Sequence, residues 1–471
     1  MERKLLWTQT GVAAATGGSI LKPFEVRGVS IDSRDVKEGD LFIALKARRD
    51  GHYFVRNAAQ SGAVAALVSW KPRSIPRGFP VVFVKNTEEG LQKLAIAARA
   101  RSQAKIIAIT GSAGKTTTKD IMAQLLAKYD ETHAAFGSYN NKWGVPLSVA
   151  RMPAEAKYGV FEVGMNHSGE ISPLVQLVRP HIAIITTVGS GHIENFSSEE
   201  EIADAKAEIF DGLEEGGIAI LNRDNIHFER LKGKAEAKNL KIITFGSDEN
   251  ADARVITSEL KEGQNHVVIS INGQKLSFVT DLLGQHNALN IAAILAAFWQ
   301  MGLDLSKAAQ LLSEIKPTDG RGNIEHVTLS DETGNFTLID ESYNANPLSM
   351  KAALQNICAL KPTGEGAKIA VIGEMLELGT QSEKLHTELK DDILAADFDS
   401  IYLIGKGTEP LYEALGEDSP SVYALRLDDI IDEIIEETAA GSVVFVKGSN
   451  GVGLKNLIER YKSVKKTRHL T

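Results

Sequence analysis

The stretch Lys105-Ile106-Ile107-Ala108-Ile109-Thr110-Gly111-Ser112-Ala113-Gly114-Lys115-Thr116-Thr117 decides the fold. Its first six residues are an apolar, β-branched run of the kind found in a strand buried on both faces of a parallel sheet. A glycine-rich turn follows, and then a helix over Thr117–Tyr129 rich in Ala, Leu and Lys. In such a turn the glycines let backbone N–H groups converge on phosphate oxygens, and the helix N-terminus adds positive potential. Lys115 can then reach the β/γ-phosphates of ATP, and the Thr116 hydroxyl can hold Mg²⁺. The loop is shorter than a full Walker A by its first glycine, because Ile109 stands there. The bland reading, a tight turn with an exposed lysine, is the weaker one, since this motif between a strand and a helix seldom arises by chance. Gly111, Ser112, Ala113, Gly114, Lys115, Thr116 and Thr117 are therefore candidate ATP contacts.

Outward from this loop, strands recur at 160–163, 182–187, 218–221 and 241–245 with helical stretches between them, the βαβ signature of a parallel sheet. Residues 253–280 alternate as short strands around the hairpin dipeptide Asn272-Gly273 and read as an antiparallel edge. Helices over 285–300 and 304–315 lead to Lys316-Pro317-Thr318-Asp319-Gly320-Arg321-Gly322, whose Pro and Gly content marks a linker. A second alternation follows, with strands at 336–340, 369–372, 401–404 and 443–446 and helices over 347–360 and 382–396. Before the phosphate loop, a small unit carries Asp32-Ser33-Arg34, a strand over 40–45 and helices over 53–61 and 88–101, with a boundary near Ser102.

The expected architecture is α/β with three domains. Residues 1–102 form a small α/β unit, 103–316 a central P-loop ATPase-like parallel sheet with an antiparallel edge, and 317–471 a Rossmann-like unit. A length of 471 residues suits three domains at roughly 100–200 residues each. With 43% hydrophobic and 24% charged residues and no biased tract, only the last few residues are expected to be disordered.

A net charge of −9 argues against a dedicated nucleic-acid binder, which needs a broad basic surface. The single cysteine, Cys358, excludes an internal disulfide and a cysteine-based zinc cluster and fits a reducing compartment. The N-terminus turns polar at Thr8, too early for a signal peptide, and no apolar run approaches the roughly 20 residues that span a bilayer. A cytoplasmic protein with no membrane partner is expected.

Other candidates cluster where open α/β sheets bind ligands, at the carboxyl ends of the strands. Glu162 closes one strand with a carboxylate suited to Mg²⁺. Ile184–Thr187 runs into Gly189-Ser190-Gly191-His192, which places His192 on a loop at the same edge. Lys206, in Ala203-Asp204-Ala205-Lys206-Ala207-Glu208, reads from composition alone as an ordinary helix-surface lysine. Gly448-Ser449-Asn450-Gly451-Val452-Gly453 is not Gly-x-Gly-x-x-Gly, and reads as a turn between the last strand and helix.

The phosphate loop, Ser138-Tyr139-Asn140-Asn141-Lys142-Trp143-Gly144-Val145-Pro146, Glu162-Val163-Gly164-Met165-Asn166, His192, Lys206-Ala207-Glu208-Ile209-Phe210, Gly284-Gln285-His286-Asn287-Ala288-Leu289-Asn290 and Gly320-Arg321 together resemble the Mur ligases. These are the ATP-dependent enzymes that build the peptide stem of bacterial peptidoglycan. The resemblance runs in order from Asp32 to near Gly453. Ile31-Asp32-Ser33-Arg34, the segment 39–45 and Asp50-Gly51-His52 resemble the family's UDP-sugar domain. Asp340-Glu341-Ser342-Tyr343-Asn344-Ala345-Asn346-Pro347 resembles the segment of members that add D-Ala-D-Ala, and an arginine-containing D-N-P-R segment of other members is absent.

The resemblance implies a ligase that phosphorylates the carboxylate of UDP-MurNAc-tripeptide with ATP and couples the acyl phosphate to D-Ala-D-Ala, for cell wall synthesis. It implies two Mg²⁺ ions, one near Thr116 and Glu162 and one near His192. It also matches Lys206 to a lysine that is carbamylated by CO₂ and then helps hold the second metal. Lys115, Lys206, His192 and Arg321 become catalytic candidates. Asn141, His286 and Asn290 match adenine contacts, Arg321 a γ-phosphate contact from the linker, and Asp340 a ribose contact. Ser33, Arg34, Asn140, Tyr343, Asn344 and Asn346 become UDP-sugar and substrate candidates, and a monomer whose ATP site completes on domain closure is expected. Without the resemblance, His286 is a helix-start residue and Arg321 a solvated linker charge. Two rivals stay open: another Mur-type or folylpolyglutamate-synthase-like amide ligase, and a regulatory P-loop NTPase.

Overall fold

The computed structural model describes residues 3–20, 22–191, 193–261, 263–329 and 334–463. The terminal residues expected to be disordered lie outside that set. Among the described residues three large sheets organise the chain, with a two-stranded ribbon of Trp7–Thr8 and Glu25–Val26 as a fourth.

The central sheet has nine strands, in the spatial order Gln274–Thr280, Gln264–Ile271, Ala253–Lys261, Lys241–Gly246, Ile218–Asn222, Ile182–Ile185, Lys105–Thr110, Tyr158–Glu162 and Thr132–Ala134. The strands from Thr132–Ala134 to Ala253–Lys261 are parallel in spatial order, and Gln264–Ile271 and Gln274–Thr280 add the expected antiparallel edge to Ala253–Lys261. The strand read first from the sequence sits deep inside it. Alternate residues enter different cores, Ile106 and Ala108 into one and Ile107 and Ile109 into the other. Ala183 and Ile185 oppose Ile182 and Ile184 in the same way. A strand buried on both faces cannot show polar alternation, and hence it reads as a continuous apolar run.

The first sheet orders Ser19–Ile20, Val81–Phe83, Ala65–Val68, Asp40–Ile43 and Gly28–Ser30, all parallel except Ser19–Ile20. The helix Thr87–Arg101 that follows it packs on Gly144–Ala150 of the central unit. Buried Arg99 donates from Nε to the Val178 carbonyl at 2.9 Å and from Nη2 to the Arg179 carbonyl at 2.8 Å, which satisfies two acceptors at a helix end. The third sheet orders Asn323–Thr328, Asn335–Glu341, Val443–Lys447, Lys368–Gly373, Ser400–Ile404 and Ser421–Ala424, with only Asn323–Thr328 antiparallel.

The sequence reading differs from the structure mainly at short or marginal elements. The helix expected over 382–396 is two pieces, Ser382–Thr387 and Lys390–Ala395, and that over 53–61 opens as a 3₁₀ turn, Gly51–Phe54, capped by Asp50. Thr132–Ala134, Asn323–Thr328 and Ser421–Ala424 had no sequence signal. All three lie at sheet edges, where half-exposed residues need no long apolar run.

His133, on the edge strand Thr132–Ala134, gives the fold a pH dependence. Its ring Nε2–H donates to the Ser148 carbonyl at 2.8 Å and the ring packs on Phe161. Burial pushes the imidazole pKa from 6.5 down to about 4. The unfolded chain therefore binds a proton between those values that the folded chain rejects, so stability falls as pH drops through this window. Thermal melting should show a decline between pH 6.5 and 4 worth roughly 2 kcal/mol from this group, and His133→Gln, which cannot titrate, should flatten it.

Candidate functional site

The phosphate turn lies at the carboxyl edge of the central sheet, beside the strand that the chain crosses in going from Tyr158–Glu162 to Ile182–Ile185. Its shape is fixed before any ligand arrives. Ser112 Oγ donates to the Gly189 carbonyl at 2.9 Å and accepts from the Gly189 N–H at 3.1 Å, and Thr186 Oγ1 donates to the Ala113 carbonyl at 2.5 Å. Gly114 caps the helix Lys115–Leu126 in the left-handed region, at φ 79°, and a Cβ there would stand 2.8 Å from Asn290 Oδ1. Only glycine meets both demands without strain.

Beyond the turn, oxygen ligands converge. Thr116 Oγ1 donates to Glu162 Oε2 at 2.6 Å and lies 3.2 Å from Ser138 Oγ. Asn140 Nδ2 donates to the other Glu162 oxygen at 2.7 Å. From the linker, Arg321 reaches Ser138 Oγ at 3.3 Å and stacks its guanidinium on Tyr343, 4.1 Å from the ring centre. A buried carboxylate with hydroxyls beside it is the hard-oxygen donor set that Mg²⁺ takes.

Lys115 curls back to donate to the Gly111 carbonyl at 2.7 Å. Burial and the neighbouring Arg321 push its pKa down, while Glu162 and Glu377 pull it up. Lys206, in the last turn of the helix Glu199–Ala207, is only 2% exposed. Among the described residues it has neither a hydrogen-bond nor an ion-pair partner. Burial first, and the Lys115 charge second, push its pKa well below that of an ordinary lysine. A lowered pKa raises the share of neutral amine, the form that can react as a nucleophile.

A cleft of about 560 Å³, within the range of small-molecule sites, opens between this edge and the third unit. The structure brings Ser112, Ala113, Gly114, Lys115, Thr116, Thr117, Asn140, Glu162, His286, Asn290, Arg321, Tyr343, Asn344 and Asn346 to its walls. Asn346 Nδ2 donates to the Ser112 carbonyl at 3.1 Å, joining third unit and phosphate loop directly. The His286 imidazole is pushed down by burial, so it faces the cleft neutral at pH 7.

Several sequence candidates stand elsewhere. Gly111 and Lys206 lie behind the lining, and His192 is outside the described residues. Asn141 does not face the cleft, because its Oδ1 caps the helix Gly144–Ala150 by accepting from the Trp143 and Gly144 N–H groups at 3.1 and 2.9 Å. Asp340 is turned into its own loop, accepting from the Ser342 hydroxyl at 2.6 Å, and its neighbour Glu341 lines the cleft instead. The parity of the strand Asn335–Glu341, which sends successive side chains to opposite faces, is the signal that distinguishes the two. Ser33 and Arg34 belong to the first unit, where Arg34 is engaged with Asp32 at 2.9 Å and lowers that carboxyl's pKa. Sequence reasoning missed Ser138, Asn222, Lys447 and Asn450. Lys447 is buried at the end of the strand Val443–Lys447 and pairs with Glu341 at 3.1 Å, which a run of apolar residues ending in lysine could have suggested.

The fold defines a three-domain α/β protein with a glycine-rich strand-to-helix turn opening on a cleft between two of its units. Three family profiles match the chain: "Mur ligase family, catalytic domain" over residues 25–127, "Mur ligase middle domain" over 109–298 and "Mur ligase, glutamate ligase domain" over 325–450. A Rickettsia prowazekii protein named UDP-N-acetylmuramoyl-tripeptide–D-alanyl-D-alanine ligase is 36% identical over 97% of this chain and 100% of its own length. A crystal structure of MurF from Acinetobacter baumannii superposes with a TM-score of 0.83 at 28% identity, covering 98% of this chain and 99% of that one. MurF from Thermotoga maritima, solved in complex with ADP, gives a TM-score of 0.76 at 25% identity over 94% and 98%. The chain belongs to the Mur ligase family. It is an ATP-dependent enzyme of the class that forms C–N bonds between acids and amines.

Gly114→Ala tests the loop geometry. The added methyl should weaken ATP binding at least tenfold in calorimetry, about 1.4 kcal/mol, and should also lower the melting temperature, because alanine is strained at this φ and meets Asn290.

Proposed function

We infer that this chain joins D-alanyl-D-alanine to UDP-N-acetylmuramoyl-tripeptide, converting ATP to ADP and phosphate and releasing the UDP-MurNAc-pentapeptide. The single observation that carries this is the joint cleft, in which Asn346 of the segment Tyr343–Asn346 bonds the carbonyl of Ser112 in the phosphate loop. The two reactants of an amide synthesis must meet there, and relatives of that printed name match over the whole chain.

The chemistry requires two displacements. A carboxylate does not react with an amine at neutral pH because its oxygen is a poor leaving group. In the first step a carboxylate oxygen attacks the γ-phosphorus, breaking its bond to the β-γ bridging oxygen and releasing ADP. In the second step the dipeptide's neutral amine attacks the acyl carbon, and the tetrahedral adduct expels phosphate with its electron pair while the nitrogen loses a proton. Neither step needs covalent help from the protein, so catalysis rests on position and on charge placed where the phosphoryl oxygens develop it.

Lys115 and Arg321, approaching from the two sides of the cleft, fit this role. Turn N–H groups of Gly111–Thr117 fit the β-phosphate, and Asn290 and the neutral His286 fit the adenine side. Glu341, rather than Asp340, has the position for the ribose hydroxyls. Thr116 and Glu162 would hold one Mg²⁺, with Asn140 fixing the carboxylate. Bound there, Mg²⁺ neutralises phosphate charge and orients the γ-phosphoryl group.

A second Mg²⁺ would be held at His192 and at Lys206 once its neutral amine has added CO₂, which turns it from a potential cation into an anion. The lowered pKa of Lys206 and its lack of partners among the described residues support that modification. Residues 1–102, with Ser33 and Arg34, would receive the UDP-sugar end. Residues 103–316 would hold ATP. Residues 317–471, with Tyr343, Asn344, Asn346 and the turn Gly448–Gly453, would hold the dipeptide. A nucleotide-linked, water-soluble substrate assigns the reaction to the cytoplasm.

Phosphate release should require ATP, Mg²⁺, UDP-MurNAc-tripeptide and D-Ala-D-Ala together, with the pentapeptide product identified by mass. Release indifferent to the dipeptide would refute the assignment. Lys115→Ala should lower kcat by at least 10³-fold while the melting curve is retained. In CO₂-depleted buffer the wild-type rate should fall and recover on adding bicarbonate; a Lys206→Ala protein should be inactive under both conditions, and a bicarbonate-independent wild type would argue against carbamylation.

A further inference from the structure

One buried charge beside the nucleotide cleft has no part in the reaction described above. Lys119 lies one turn beyond Lys115 on the helix Lys115–Leu126, and its side chain is 0% exposed. An ammonium carries three N–H donors and cannot be buried cheaply unless all are used. Here two are taken by the Ala135 carbonyl at 2.8 Å and the Gly137 carbonyl at 2.6 Å, and Asp120 Oδ1 forms an ion pair with the ammonium at 2.9 Å.

Two of those acceptors flank the exposed tip of a loop whose ends are otherwise held by the Ala135 N–H on the Val160 carbonyl at 3.1 Å and the Asn140 carbonyl under the Gly164 N–H at 2.9 Å. The strand Thr132–Ala134 ends just before it, Phe136 at its tip is 76% exposed, and Gly137 adopts a left-handed φ of 53° with open space around it. No apolar side chain at the tip anchors this turn in the core. Yet the next three residues supply two of the groups that shape the phosphate and metal site. Ser138 Oγ meets Thr116 Oγ1 at 3.2 Å and Arg321 at 3.3 Å, and Asn140 Nδ2 meets Glu162 at 2.7 Å. Lys119 thus fixes the near end of a segment whose far end orients Thr116, Glu162 and the linker arginine.

We propose that Lys119 is a positioning residue for phosphoryl transfer, clamping the Ala135 and Gly137 carbonyls so that Ser138 and Asn140 hold Thr116, Arg321 and Glu162 in register for Mg²⁺ and nucleotide. The segment is also where the cleft meets the first unit, since Tyr139 packs against the core that unit shares and its phenol lies within electrostatic reach of Arg34. A loop held loosely would let the carboxylate and hydroxyl drift apart. The site would then lose its hold on the metal before the nucleotide contacts of the turn itself were affected.

The inference rests on the ATP- and Mg²⁺-using site proposed above, and the test separates the two. Binding of Mg²⁺ and the non-hydrolysable analogue AMP-PNP is measured by calorimetry, which needs neither the acid nor the amine substrate, and Mg²⁺ titrations of phosphate release are run alongside. Lys119→Met should raise the Mg²⁺ concentration for half-saturation at least tenfold and lower kcat about 30-fold, while AMP-PNP binding at saturating Mg²⁺ changes less than threefold. The double variant Ser138→Ala/Asn140→Ala should reproduce the Mg²⁺ shift, and adding Lys119→Met to it should cost nothing further, because the clamp would have nothing left to position. A merely structural lysine predicts a lower melting temperature with wild-type Mg²⁺ dependence, and that result overturns the proposal. So does full additivity in the triple variant. If Lys119→Met does not fold, the double variant decides alone, and a wild-type Mg²⁺ dependence in it refutes the role. Failure of the ligase reading would appear differently, as wild-type phosphate release that ignores the dipeptide while the calorimetric differences persist.

Discussion

The bond from Thr116 to Glu162 is the constraint on which the rest of the site depends. It ties the first turn of the helix after the phosphate loop to the end of the neighbouring strand, at 2.6 Å and buried from water. Both residues lie where parallel strands release their chains, so the two can meet only if Lys105–Thr110 and Tyr158–Glu162 pair in one register. That register is set by burial on both faces: a slip of one residue would exchange the residues entering the two cores. The apolar content of the strands thus fixes the position of the polar atoms at their ends.

Around that bond the chain assembles groups from far apart in sequence. Ser138 and Asn140 come from the loop after an edge strand, Arg321 from the linker, and Asn346 from the head of the helix Pro347–Ile357. Asn346 acts twice, capping its own helix through Ser349 and reaching Ser112 with its amide. One side chain therefore couples the order of the third unit's first helix to the shape of the phosphate turn. A site built this way is sensitive to the angle between units.

Electrostatically the cleft gathers cations where phosphate is to be bound. Lys115 is depressed by burial and by the neighbouring Arg321 charge, Lys206 behind it by burial and by Lys115, and Glu162 is buried beside Lys115 and pulls it up. Burial, and then the Lys115 charge, shift Lys206 toward its neutral form. The positive charge of Lys115 and Arg321 suits a polyphosphate, whose negative oxygens would offset their mutual repulsion.

The sequence by itself determined the parts that short-range physics controls. The apolar strand Lys105–Thr110, the glycine turn and the helix behind it are local, and so are the antiparallel edge around Asn272-Gly273 and the linker at Pro317–Gly322. Their residues read the same way in any tertiary context. The tertiary structure decided what local spacing cannot. It turned Glu341 rather than Asp340 toward the cleft, because a strand's parity is visible in sequence but which face meets the neighbouring unit is not. It used Asn141 as a helix cap and Asn140 as the partner of Glu162, although the two are adjacent and chemically identical. It also buried Lys206, which composition reads as a helix-surface lysine, because which distant segments cover a side chain is not visible in its local spacing.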